Sequence, residues 1–159
     1  MLVAVKDEID CAPYPTTGGT RWLAAARRCE ADAACVAQLR ACGAVLAGKA
    51  NMHELGAGTS GINPHHGYVV PYRIPAHPVR MRTSVVVYGI YPIYTTVCLC
   101  RSTRNPYNAG KIAGGSSSGS AAVVCAGLCP VALGVDGGGT CCGHAVLRRI
   151  FFSFNLQRR

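Results

Sequence analysis

Acidic side chains are scarce: seven Asp and Glu stand against sixteen Lys and Arg, and charged residues are only 14% of the 159. With half the chain hydrophobic, that scarcity excludes a disordered, self-repelling polymer and fits one domain with a real core. Export signals are also missing. Met1 runs directly into Leu2-Val3-Ala4-Val5 without a basic n-region or a long apolar stretch, so an intracellular or membrane-associated setting is expected. Ten cysteines are present but no pair of Cys-x-x-Cys knuckles. Reduced, buried thiols are therefore the reading, and no metal is expected from Cys98, Cys100, Cys125, Cys129, Cys141, Cys142 and His144. Thr83 to Cys100 has no charge and approaches the length of a membrane span. Gly89, Pro92 and many β-branched residues favour extended structure there instead.

A net charge of +9 would ordinarily suggest nucleic acid or an anionic membrane. Its distribution argues otherwise. Residues 68–101 and 140–159 contain no acidic residue and together carry +8, while the rest of the chain carries +1. Eight of the eleven aromatics fall in the same two segments. Two compositions have been joined in one chain, and no nucleic-acid partner is expected. The alternative makes Arg73, Arg80, Arg82 and the interleaved tyrosines a basic-aromatic surface for nucleic acid or a membrane.

Elsewhere the pattern alternates strands and helices. Leu2 to Val5 reads as a buried strand ending in Lys6-Asp7-Glu8, and Pro13, Pro15, Gly18 and Gly19 mark a loop. An Ala-rich helical stretch runs from Thr20 to about Cys42 with a break near Glu30, an N-cap at Asp32 and a stop at Gly43. Ala44 to Ala47 reads as a strand, Ser120 to Leu128 as a helix, and Val131 to Val135 as a second buried strand. This is α/β architecture.

Three pieces carry chemistry: Val3-Ala4-Val5-Lys6-Asp7, Gly114-Gly115-Ser116-Ser117-Ser118-Gly119 and Gly134-Val135-Asp136-Gly137-Gly138-Gly139-Thr140. Singly, each has a bland reading as a solvated lysine, a linker and a turn. Together they make sense. A buried lysine can lose its charge and act as a base, a hydroxyl nucleophile needs such a base, and successive glycines let backbone N–H groups converge on an oxyanion.

These blocks resemble the amidase signature family of serine hydrolases. Lys49-Ala50-Asn51-Met52-His53-Glu54-Leu55-Gly56 and Asp136-Gly137-Gly138-Gly139 look most like its plant fatty acid amide hydrolases. The resemblance covers 1–67 and 102–139. It implies an α/β/α sandwich with a mixed central sheet, incomplete in this chain, and a Ser–cis-Ser–Lys mechanism. By resemblance Lys6 is the base, Ser116 the bridging serine on a cis peptide bond, and Gly137, Gly138 and Gly139 the oxyanion loop. Thr140 occupies the nucleophile position, where the family has serine. Ser117 and Asp136 support the site, and Lys49 is structural. The substrate implied is a small-molecule amide such as an N-acylethanolamine, and no cofactor is needed.

The resemblance stops at the two odd segments. Residues 1–139 are read as a partial amidase signature domain interrupted by 68–101, a retained intron or an inserted loop, and 140–159 as a divergent basic tail. Codon choice permits splice-like signals at Gly67-Tyr68-Val69, Cys100-Arg101 and Gly139-Thr140-Cys141. A chain so interrupted is expected to leave Val3–Val5 and Val131–Val135 short of strand partners. Lys6 is then too wet to be neutral, and activity is expected to be little or none.

Overall fold

The computed structural model describes residues 1–66 and 102–136, together with the strand segments 68–71, 82–83, 96–97 and 151–152. The first strand, β1 (Leu2–Lys6), is buried from Val3 onward, and it pairs in parallel on both sides. On one side lies β2 (Val45–Ala50) and on the other β8 (Val131–Gly134). A short segment, β9 (Phe151–Phe152), pairs in parallel with β8, so the order is β2-β1-β8-β9. The expected shortage of strand partners is thereby corrected: β1 is a central strand with a ladder on each edge.

Side-chain alternation explains how this sheet is covered. Val3 and Val5 point to one face, where they meet Ile9, Cys11, Val36, Leu46, Val131 and Leu133. Ala4 points to the other, against Ala47, Val123, Cys129 and Ala132. Large residues thus face the helix α2 (Ala34–Ala41), which contributes Val36 to the core. Small residues face α3 (Ser118–Cys125), and that helix comes close. A methyl group on Gly119 would sit 2.5 Å from the backbone N and O of Asn51. Burying Val3 and Val5 completely contributes about 1.5–3 kcal/mol each.

The helical stretch expected from Thr20 to Cys42 does break near Glu30, leaving two pieces shorter than expected, α1 (Leu23–Ala26) and α2. Asp32 does not cap α2; Ala33 holds that place, and no side chain caps it. The Asp32 carboxylate accepts instead from the Ala12 N–H (2.8 Å) and pairs with Arg40 (2.6 Å). The bidentate Arg27–Asp10 pair ties the end of α1 to the loop after β1. These contacts hold the stretch between the two pieces against the loop that follows β1. The stop at Gly43 is present: its φ is +77°, and the Gly43 and Ala44 N–H groups donate to the Arg40 and Leu39 carbonyls.

Antiparallel pairing occurs in smaller ladders. β3 (Tyr68–Pro71) pairs with β4 (Arg82–Thr83) and β5 (Thr96–Val97), and β6 (Arg104–Asn105) with β7 (Asn108–Ile112). Parallel and antiparallel pairing therefore coexist in an α/β fold. Ile62 and Ser102 form an antiparallel bridge, so the chain leaves before 68 and returns after 101 at the same place. Among the described residues, no helix is long and apolar enough to cross a membrane. Cys11, Cys29, Cys35, Cys42, Cys125 and Cys129 are free thiols. Burial pushes the thiols of Cys11 and Cys129 up. Cys98, Cys100, Cys141, Cys142, His144, Arg73 and Arg80 lie outside the described residues.

Candidate active site

Lys6 ends β1, and Ser116 lies in the loop entering α3, 110 residues later. The sheet and the close-packed α3 bring the two together. Lys6 Nζ donates to Ser116 Oγ at 2.7 Å and to the Val135 carbonyl at 3.1 Å. The lysine is completely buried, which corrects the expectation of a wet side chain. The Gly115–Ser116 peptide bond is cis. The Ser116 carbonyl accepts from the His53 N–H (2.9 Å), so the Lys49–Gly56 block anchors the serine loop from behind. Gly61 closes over the same loop, where a methyl group would lie 2.5 Å from the Gly114 carbonyl oxygen.

The supporting positions converge as well. Ser117 Oγ donates to the Val135 carbonyl (3.2 Å) and accepts from the Val135 N–H (3.3 Å), clipping the start of α3 to the chain after β8. Ser120 Oγ adds a bond to the Leu133 carbonyl (2.8 Å), and Thr103 Oγ1 donates to Ser118 Oγ (3.1 Å). Asp136 is buried just beyond β8. Gly137, Gly138, Gly139 and Thr140 lie outside the described residues.

Lys49 is equally buried but differently surrounded. Its ammonium faces Asp7 Oδ1 (3.4 Å), the Asp7 and Pro15 carbonyls (3.4 and 3.3 Å) and Thr16 Oγ1 (3.2 Å). Asp7 Oδ2 in turn accepts from the Thr17 hydroxyl and the Gly19 N–H. This is a closed structural network tying the Pro/Gly loop to the sheet.

One charged neighbour of Lys6 was not singled out from the sequence. Glu8 Oε1 lies 2.8 Å from Lys6 Nζ. Its signal was the strand period, since positions 6 and 8 share a side if the extended chain continues past β1. Glu8 also lines a cavity of about 530 Å³ with Ile9, Asp10, Cys35, Gln38 and Val135.

The arrangement sets an amine against a hydroxyl in a dry setting, where a proton can pass between them. The amidase family model matches residues 1–78 and 82–141. A fatty acid amide hydrolase of Arabidopsis thaliana is 46% identical over 140 residues, covering 88% of this chain and 18% of the relative. An indoleacetamide hydrolase of Pseudomonas savastanoi is 39% identical over 140 residues, 88% of this chain and 23% of the relative. Among solved structures, one chain comes from a vestigial complex tied to the evolutionary origins of an s-triazine catabolic enzyme. It superposes with a TM-score of 0.58 at 32% identity, over 82% of this chain and 21% of that one. The chain thus spans about a fifth of the length of the relatives it matches. On the family match over most of its length, the chain belongs to the amidase family.

Proposed function

We propose that the chain carries the proton-relay half of an amidase signature site, acting in carbon–nitrogen bond hydrolysis on a small-molecule amide. The observation that supports this most is the 2.7 Å contact between the buried Lys6 amine and Ser116 Oγ. In the reactive state the direction of that bond reverses: neutral Lys6 accepts the Ser116 proton while Ser116 accepts one from the nucleophile. The Thr140 hydroxyl attacks the amide carbon, and the N–H groups of the Gly137–Gly139 loop hold the resulting oxyanion. Collapse of that intermediate breaks the C–N bond, and the same relay returns the proton to the departing amine. Water then releases the acyl group. Asp136 orients the glycine loop.

Fatty acid amides are the finer substrate class, supported by the Arabidopsis relative and by the Lys49–Gly56 block. Hydrolysis of a panel of acyl amides tests the reading. With β1 paired on both sides and Lys6 dry, those two grounds for expecting little or no activity fall away, and turnover that Lys6→Ala and Ser116→Ala each abolish is the expected outcome. Absence of turnover from the folded chain, or turnover indifferent to Lys6→Ala, would overturn it.

A further inference from the structure

The Lys6 amine touches three groups, and the relay described above uses only one of them. Ser116 Oγ and the Val135 carbonyl take its two hydrogen bonds. Glu8 Oε1 lies at 2.8 Å, between those two distances of 2.7 and 3.1 Å, yet it has no hydrogen-bond partner. The two findings agree once direction is considered: the carboxylate is close enough to act by charge but is not aligned to accept a directed N–H bond. Glu8 also differs from Lys6 in access. Its side chain is 28% exposed, against 1% for that of Lys6, and it borders the cavity of about 530 Å³. The Glu8 side chain thus reaches from the buried amine to the cavity.

We propose that Glu8 is a positioning residue for the relay. Its charge holds the Lys6 amine against Ser116, in the place from which it can take the Ser116 proton. The inference rests on the relay reading for its function, but not for its geometry. The other charged groups around the pair are already engaged or belong to a different contact. Lys49 on β2 is turned to Asp7, and Glu54 is paired with His65. Asp10 is paired with Arg27, and Asp32 with Arg40 of α2. His53 lies beside the serine loop with Ser60 Oγ near its ring, and Asp136 is buried beyond β8. Glu8 is the carboxylate in ion-pair contact with Lys6 among the described residues.

The chain has three lysines, Lys6, Lys49 and Lys111, so lysine labelled with 13C at Cε gives one NMR signal for each. In Glu8→Gln, which keeps the shape and removes the charge, the Lys6 signal is expected to move at pH 7 while those of Lys49 and Lys111 stay in place. Glu8→Asp, which keeps the charge, is expected to return the signal toward its original position. It also serves as the second variant should Glu8→Gln not fold. In turnover assays Glu8→Gln is expected to lower kcat with KM unchanged, and Glu8→Asp to restore part of the loss. An unmoved Lys6 signal in Glu8→Gln, or a signal displaced equally by Glu8→Gln and Glu8→Asp, would overturn the proposal. A moved signal in a chain that hydrolyses no amide would uphold Glu8 as the partner of Lys6 and remove the amidase reading alone.

Discussion

Two lysines end up dry on neighbouring strands, one register step apart: Lys6 opposite Ala50, and Lys49 opposite Val5. They share residue type, burial and sheet, but their surroundings differ in kind. Around Lys49 are Asp7, two backbone carbonyls and Thr16, in a network closed on itself. Around Lys6 are the Ser116 hydroxyl, one carbonyl and a carboxylate that borders a cavity. A buried cation with fixed acceptors holds loops together. A buried amine beside a hydroxyl that can both give and take a proton can do chemistry. Burial alone does not separate these roles; the partners do.

The largest test of that contrast is Lys6→Met. It is expected to lower amide turnover by about 10³-fold while the urea unfolding midpoint shifts far less. Comparable loss of turnover in Lys49→Met without loss of stability would erase the distinction. Lys49→Met should instead be mainly a stability variant. It leaves Asp7 buried without its cation, and the cost is about 3 kcal/mol or more in equilibrium unfolding.

Gly119→Ala probes how the first lysine meets its serine. The added methyl group meets the Asn51 backbone rather than a flexible side chain. A loss of about 1–3 kcal/mol is expected, together with reduced turnover, because α3 carries the Ser116 loop. The Lys49 NMR signal should move less than that of Lys6.

Ion pairs at the surface sharpen the comparison from the other side. Hydrogen bonding to Arg40 holds the Asp32 carboxyl below its usual range, and hydrogen bonding to Arg27 does the same for Asp10. A carboxyl lowered in the folded state stabilises above its unfolded pKa of about 4, and that contribution is lost as pH falls through the lower folded value. Asp32→Asn should therefore cost on the order of 0.5 kcal/mol at pH 7, and the difference should vanish in strongly acidic solution. The smallest effect is expected from removing 68–101 and joining Gly67 to Ser102. The Ile62–Ser102 bridge already holds the two ends together, so both lysine signals should stay in place. A transcript lacking those codons would make the shortened chain the natural one.

Much of the fold was legible because it rests on local pattern. The Val-Ala-Val alternation of β1, the small residues of α3 and the stop at Gly43 each follow from side-chain size or from a single φ value. The break near Glu30 was legible too, but the lengths of the two helical pieces and the cap of α2 were not. Asp32 and Asp10 have distant arginine and backbone partners that outcompete local capping, and nothing near them in the sequence reveals those partners. Glu8 was missed for a related reason: a charged residue after a strand ordinarily points to water.

Residue order by itself determined that Lys6 would end a buried strand, that a Gly/Ser loop would open a tightly packed helix, and that the chain would form an α/β fold. Tertiary structure alone decided that Lys6 would be dry, that its amine would stop 2.7 Å from Ser116, and that a half-wet carboxylate would lie beside it. The division follows from range. Strand alternation and turn chemistry act between neighbours in sequence, whereas desolvation and charge contacts depend on residues brought together across 110 positions of chain.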